Sequence, residues 1–275
     1  MVDSFYALSG FAVGLLVGMT GVGGGSLMTP LLILVFGINP ATAVGTDLLF
    51  AAATKSAGSL LHGLNRSIEW QVVRRLAFGS VPATVATIIM LSFIHQSQAA
   101  RSLITLILCG ALLITATLLI FRGTIVKVSQ SKMPTLDDRH IAMLTVLFGG
   151  FVGLLVSTSS IGAGAIGVCA LVFLYPKLPM AKIIGSDIAH AVPLTLVAGA
   201  GHWMIGTVDW RILGWLLVGS VPGILIGVYA AVRVSEAALR TVLATTLIIV
   251  AAKLLYNQVE ASTSIVSAFT RRSPH

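Results

Sequence analysis

The second half of this chain repeats the first, so any fold must build the same set of segments twice. The first matching block, residues 14–25 (GLLVGMTGVGGG), aligns with residues 153–164 (GLLVSTSSIGAG) at an offset of 139 residues. A repeat of this length predicts two copies of one structural unit. Later matches occur at an offset of 140 residues: Gly45-Thr46-Asp47 with Gly185-Ser186-Asp187, His62 with His202, Trp70 with Trp210, and GSVP at 79–82 with GSVP at 219–222.

Both halves are apolar and nearly free of charge. Of the 275 residues, 56% are hydrophobic and 9% are charged, whereas a soluble domain carries about 25% charged residues. Roughly 20 apolar residues span a bilayer as a helix, and only helices or closed barrels satisfy the backbone there. The apolar runs do not alternate as barrel strands do. The chain is therefore predicted to be an all-α polytopic membrane protein.

The net charge of +8 has a simple explanation in a membrane protein. Most Lys and Arg residues lie in short loops, where the positive-inside rule places them, so we predict a lipid bilayer as partner and no nucleic acid. Cys109 and Cys169 lie inside apolar segments, and no CxxC pair or Cys/His cluster occurs. We therefore predict no metal and no cofactor.

Four regions follow from the hydropathy: a first transmembrane repeat (1–121), a cytoplasmic linker (122–139), a second repeat (140–256) and a polar tail (257–275). In each half, two pieces of about 15 residues, too short to span comfortably, form a broken helical pair, and three transmembrane helices follow. The pieces are 5–19, 22–36, 41–61, 76–93 and 103–121, and then 141–156, 161–175, 183–203, 212–232 and 237–256.

The charges leave two topologies open. If each broken pair is a hairpin, the halves are inverted; if each pair is one long span, they are parallel. Eleven Lys and Arg residues are inside and five are outside in either case. The parallel topology needs Arg271 and Arg272, which lie far from the last span and weigh less. The inverted topology is therefore slightly favoured.

The break inside each pair is the predicted binding region. It is glycine-rich in the first half (20–25) and serine-rich in the second (157–164). Consecutive glycines weaken a helix, and interrupted segments at matching positions of two halves point to a binding site in transporters.

Three motifs carry a family resemblance: Gly21-Val-Gly-Gly-Gly-Ser26, Asn39-Pro40-x-x-Ala43-x-Gly45-Thr46, and Gly185-Ser186-Asp187. They resemble the TauE/SafE family of membrane transporters, also described as sulfite exporters and toluene-sulfonate uptake permeases, over residues 5–256. The resemblance implies a bacterial-type cytoplasmic-membrane protein that moves sulfite, sulfonates or related anions, with substrates that vary among members. The second half departs from the pattern, because serines and Thr158 occupy residues 157–160 and Ala163 replaces Gly24.

An anion that leaves water needs hydrogen-bond donors, and the N–H groups at a broken helix end supply them. Hydroxyl groups suit sulfonate oxygens without adding a fixed charge. The alternative is that these small residues only permit close helix packing. The predicted substrate-binding residues are Gly23, Gly24, Gly25, Ser26, Thr46, Lys55, Ser159, Ser160, Gly162, Gly164 and Ser186.

Ionisable residues inside the membrane are costly and mark function. Lys55 can neutralise a substrate anion, or else form a structural pair or snorkel; its counterpart is Thr195. Asp47 and Asp187 are predicted to orient the breaks or to carry a coupling proton, against a purely structural role. His190 lies three residues after Asp187, on the same helix face, and the two can form a proton-carrying pair.

These observations predict a secondary transporter for small organosulfur or related organic anions, working by alternating access between the repeats. Proton coupling follows from the buried acids, and export follows from family analogy alone. A passive anion channel is the alternative. An intramembrane enzyme is disfavoured, because no nucleophile–base constellation occurs, and no GxxxxGK[ST] loop indicates direct use of ATP. The oligomeric state is left open.

Gly24→Leu tests the glycine break. We expect it to abolish transport while leaving a folded, membrane-inserted protein, since a bulky side chain prevents close approach of backbone and ligand. Flux in proteoliposomes and a membrane-insertion assay measure the two effects. Wild-type flux in this variant would contradict the hypothesis that the glycine-rich break binds the substrate.

Overall fold

A computed structural model of the chain describes residues 2–20, 25–64, 66–94, 97–132, 137–231 and 236–270. All the regular secondary structure in these residues is helical, and α4, α5, α6, α8, α9 and α10 contain stretches long and apolar enough to cross a membrane. The predicted class of all-α membrane protein is confirmed. The helices are α1 (Val2–Thr20), α2 (Gly25–Leu34), α3 (Pro40–Leu64), α4 (Trp70–Ile94), α5 (Gln98–Lys132), α6 (Asp138–Ser159), α7 (Ala165–Leu174), α8 (Met180–Met204), α9 (Trp210–Ala231) and α10 (Glu236–Thr270).

Several helices run beyond the apolar pieces predicted from the sequence. The expectation that both members of a broken pair are too short to span is wrong for α6, which has 22 residues and qualifies as a span. Its polar first turn joins the helix because the Asp137 side chain accepts the backbone N–H of Asp138. Likewise α5 continues to Lys132, inside the segment assigned to the linker, and α10 continues to Thr270. Hydropathy therefore predicts the apolar part of a helix, but not the residue at which the helix ends.

The helices of the two halves correspond in order and spacing. Helices α2 and α7 have 10 residues each, and α3 and α8 have 25 residues each. The starts of α2 and α7, of α3 and α8, and of α4 and α9 are each 140 residues apart. This is the pattern that a duplicated chain produces; a common origin of the halves stays a prediction.

The halves interlock instead of folding as separate units. Helix α1 packs on α9, and its counterpart α6 packs on α4, while α3 packs on α8 and α5 on α10. Glycine makes the first two contacts close: a methyl group at Gly14 would overlap the backbone of Ser220, and one at Gly153 would overlap Ser80. Small residues that let helix backbones approach in this way are typical of membrane helix pairs.

Corresponding helices run in opposite directions. Helices α1 and α9 are parallel, because Gly10 contacts Leu216 and Gly14 contacts Ser220. Asp3 pairs with Arg211 at 2.7 Å, so both helices start at the same end of the molecule. Arg75 pairs with Asp138 at 2.8 Å, which places the starts of α4 and α6 together. Helices α3 and α8 are antiparallel, since Gly45 lies against His202 and Gly199 against Leu49.

It follows that α1 and α6 start at opposite ends of the molecule, because α9 follows the end of α8 and α4 follows the end of α3. Each broken pair also begins and finishes at one end, as a hairpin does. The end where α4, α6 and α8 begin is called the basic end here. It contains Arg66, Arg74, Arg75, Arg139, Lys177 and Lys182.

Gly219→Ala tests the interlocked packing. A methyl group at Gly219 would overlap the carbonyl of Ala7, whereas Gly214 on the same helix faces open space. We expect Gly219→Ala to lower the free energy of unfolding by about 1–3 kcal/mol through overpacking. Gly214→Ala is the matched control and should be neutral or slightly stabilising. Thermal unfolding in detergent measures both, and equal values would contradict the packing.

Candidate functional site

The break in the second half lies in the protein interior at about half the membrane depth. Helix α7 ends near the basic end, where the hydroxyl groups of Tyr175 and Thr145 are 2.9 Å apart. Ten helical residues rise about 15 Å, which is half the thickness of a hydrocarbon core. Ser160 has φ 60°, Gly162 has φ 135° and Gly164 has φ 130°. Glycine tolerates such angles, and here they reverse the chain between two helices.

Most hydroxyl groups of the serine-rich break bond to their own helix. Ser157 donates to the Gly153 carbonyl at 2.5 Å, and Ser159 donates to the Leu155 carbonyl at 2.7 Å. Such bonds to the preceding turn occupy the hydroxyl hydrogen. Ser160 differs, because its hydroxyl is buried without a hydrogen-bond partner among the described residues.

Asp187 binds the start of α7. It is 2% exposed on α8. The carboxylate packs on Gly167 in the first turn of α7, where a methyl group would overlap it. A negative side chain at this position complements the positive end of the helix dipole.

Asp47, the counterpart of Asp187, forms hydrogen bonds with α2, the short helix of the first half. Its Oδ2 accepts the Thr29 hydroxyl at 2.5 Å and the Thr29 backbone N–H at 3.2 Å. Its Oδ1 is buried without a hydrogen-bond partner in the described part of the chain. Gly25 and Ser26 begin α2. The predicted site residues Gly23 and Gly24 lie outside the described residues.

Lys55 reaches from α3 of the first half into the break of the second. It is 7% exposed, and its Nζ donates to the Ala163 carbonyl at 3.2 Å. Asp47 and Asp187 both interact with it electrostatically, although no described carboxylate oxygen lies within 4.0 Å of Nζ. Lys55 is thus a buried basic side chain that interacts with two acids.

His190 is buried on α8 but has a different partner from the one predicted. Its Nε2 is 2.8 Å from the hydroxyl of Ser80 on α4. Asp187 instead packs against Gly167 in the first turn of α7. The spacing of three residues puts both side chains on one face, and the neighbouring elements select their partners.

Thr46 and Ser186 join the two halves at opposite ends of the molecule. The Ser186 hydroxyl accepts the Glu69 backbone N–H at 2.8 Å, and the Thr46 hydroxyl accepts the Asp209 backbone N–H at 3.0 Å. Glu69 immediately precedes α4 and Asp209 immediately precedes α9. Each contact therefore joins the start of a long helix to a hydroxyl group of the other half. The two contacts are equivalent under the repeat, and they engage hydroxyl groups that the sequence assigned to substrate.

Comparison with known proteins identifies the family. The protein-family model described as "Sulfite exporter TauE/SafE" matches residues 6–254 of the sequence. The chain belongs to the TauE/SafE family. Together with the six candidate spans among the described residues, this makes it a multi-pass membrane transporter of the bacterial inner-membrane type. The match also confirms the resemblance noted in the sequence.

Similar proteins are also described as transporters. YjnA of Bacillus subtilis, a probable membrane transporter protein, is 35% identical over 253 residues, which cover 90% of this chain and 98% of YjnA. A probable membrane transporter protein of Xylella fastidiosa (strain 9a5c) is 29% identical over 234 residues, with 82% and 84% covered. No solved structure matches the chain.

Sequence reasoning missed several residues of this TauE/SafE site. Ala163 contributes a backbone carbonyl, which every residue has, so its type gives no signal. Thr29 and Ser80 are polar residues within apolar helices. Their position among apolar neighbours is the sequence signal that could have marked them as site residues. No group of three His, Cys, Asp or Glu side chains that could hold a metal occurs in the described ranges.

Lys55→Met tests the shared cation. We expect the free energy of unfolding to fall by roughly 3 kcal/mol, because two buried acids lose their counter-charge. The same change should cost less in an Asp187→Asn background, which a double-mutant cycle in detergent measures. Thr195→Val, at the matching position of α8, is the control. An equal cost of Lys55→Met in both backgrounds would refute the electrostatic coupling.

Proposed function

We propose that this protein is a secondary transporter that moves small sulfur-containing or related organic anions across the cytoplasmic membrane by alternating access. The observation that carries the proposal is the buried Lys55 at the break of the second half. A buried cation with no carboxylate in direct contact among the described residues is costly inside a membrane. A mobile anion that binds there compensates that cost, and it can also leave.

The anion binds at the Lys55 ammonium group beside the start of α7. Its oxygens accept hydrogen bonds from Lys55, and the positive end of the α7 dipole adds to the attraction. Lys55 donates to the Ala163 carbonyl, so the ammonium group turns from this acceptor toward the anion on binding. Ser159, Ser160, Gly162 and Gly164 form this side of the site, and we propose the start of α2 as the other side.

Alternating access follows from two interlocked halves that run in opposite directions. Movement along the glycine contacts opens one end as it closes the other. The Lys182–Glu69 ion pair, at 2.9 Å, joins the halves at the basic end, and the Thr46–Asp209 contact joins them at the other end. The basic end faces the cytoplasm by the positive-inside rule. Export is the direction that the family description implies, and a proton moves with the cycle through the buried acids.

Flux in proteoliposomes tests this function. Purified protein is offered sulfite, methanesulfonate or a short-chain carboxylate, with and without a pH gradient. We expect saturable flux of at least one anion that responds to the gradient. Flux that never saturates would favour a passive channel, and flux of none of the three would reject this substrate class.

Variants of Lys55 then test the site itself. Lys55→Thr places the residue of the second half at this position and should reduce flux at least about tenfold, because a hydrogen bond to a charged group is lost. Lys55→Arg keeps the charge and should retain part of the flux. Lys253→Thr removes an exposed lysine and serves as the control. Full flux in Lys55→Thr would exclude Lys55 from the site.

A further inference from the structure

In each half, a hydroxyl residue and an acid are adjacent on one helix but contact different parts of the molecule. On α8 the Ser186 hydroxyl accepts the backbone N–H of Glu69 from the other half at 2.8 Å. The next residue, Asp187, lies against Gly167 in the first turn of α7. Ser186 and Asp187 are both buried. One turn of α8 therefore touches the opposite half at the basic end and also the short helix that follows the break.

The first half repeats this arrangement at the opposite end of the molecule. On α3 the Thr46 hydroxyl accepts the backbone N–H of Asp209 at 3.0 Å. The next residue, Asp47, accepts the hydroxyl and the backbone N–H of Thr29 on α2. Thr46 and Asp47 are also buried. The same pair of contacts occurs in both halves, so it belongs to the repeated unit and not to one local sequence.

The Ser186–Glu69 and Thr46–Asp209 hydrogen bonds are called the end contacts here. We propose that Ser186 and Thr46 are positioning residues, each of which couples the end contact it makes to the short helix of its own half. Neighbouring residues on a helix point about 100° apart, so one faces the opposite half and the other faces the short helix. Because the helix holds the two side chains at a fixed distance, movement of one contact displaces the other. This assignment deepens the proposed function and rests on it.

The coupling connects the basic end to the proposed anion site. When this end opens, the Glu69 N–H leaves Ser186, and the shift of α8 reaches the first turn of α7 through Asp187. The Ala163 carbonyl, which accepts a hydrogen bond from Lys55, lies two residues before α7. A shift of α7 therefore moves the acceptor that holds the cation. The first half makes the equivalent connection to α2 at the opposite end.

Apolar packing offers a second route between the basic end and α7. Val72 in the first turn of α4 and Val168 on α7 belong to one buried cluster. Removal of the Ser186 hydroxyl leaves this cluster intact, so an effect on α7 comes from the end contact. Ser186→Thr and Thr46→Ser exchange the residues of the two halves and keep the hydroxyl group, which makes them the matched rescue variants.

Hydrogen exchange of the purified protein in detergent, without any substrate, tests the coupling. Ser186→Ala removes the acceptor of the Glu69 N–H, so we expect residues 66–72 to exchange at least about fivefold faster. Coupling requires that α7 also exchange at least about twofold faster while α2 is unchanged. Thr46→Val should give the reverse pattern, with faster exchange at residues 206–212 and in α2. The rescue variants should exchange at nearly the wild-type rates.

Gly167→Ala tests the same connection from the short helix. The added methyl group displaces the Asp187 carboxylate, and coupling is reciprocal. We expect residues 66–72 to exchange at least about twofold faster, and this effect should disappear when Ser186→Ala is already present. Gly214→Ala, at a position that faces open space, is the control and should leave residues 66–72 unchanged.

Two exchange results would overturn the proposal. Faster exchange confined to residues 66–72 in Ser186→Ala, with α7 unchanged, means that the end contact is only local. Equal acceleration of α2 and α7 in that variant means a general loosening of the fold. Neither result depends on finding a transported anion, so failure of this assignment is distinct from failure of the proposed function.

Transport of sulfite separates positioning from substrate contact. In Ser186→Ala we expect the maximal rate of labelled sulfite exchange to fall at least about fivefold, with a half-saturating concentration within about twofold of the wild type, because the hydroxyl does not touch the anion. Ser186→Thr should retain both values. A half-saturating concentration that rises at an unchanged maximal rate would place Ser186 against the anion and contradict the proposal.

Discussion

Helices α2 and α7 are too short to cross the membrane, so each has one terminus inside it, and the rest of the structure must stabilise those termini. Helices α2 and α7 have 10 residues each, so part of their backbone lies at a depth where no bulk water can satisfy it. A buried acid from the following long helix contacts each of them, Asp47 on α2 and Asp187 on the start of α7. Buried acids need a counter-charge, and Lys55 interacts electrostatically with both.

Neither half provides this arrangement alone. Helices α4 and α9 each start beside a hydroxyl group of the opposite half, and the closest glycine contacts are also made between halves. The hydrophobic effect does not drive association within a lipid environment, so close packing and hydrogen bonds must do so.

The two halves differ where function is proposed. Lys55 has Thr195 as its counterpart, and the Thr195 hydroxyl bonds the Ala191 carbonyl of its own helix. The first break is rich in glycine, whereas the second is rich in serine. Two matching halves therefore carry one buried lysine and one serine-rich break.

Much of this protein follows from the sequence alone. Apolar runs without alternation determine a helical membrane protein. The repeat locates the paired breaks at an offset of 139 residues and the two acids at an offset of 140. Lys55 stands out because it is a charged residue within an apolar segment. The partners of those residues were decided only by the tertiary structure. His190 contacts Ser80 instead of Asp187, and Lys55 contacts a backbone carbonyl. Helical spacing determines which face a side chain occupies, but the helix packed against that face comes from the other half of the chain, and local sequence carries no record of it.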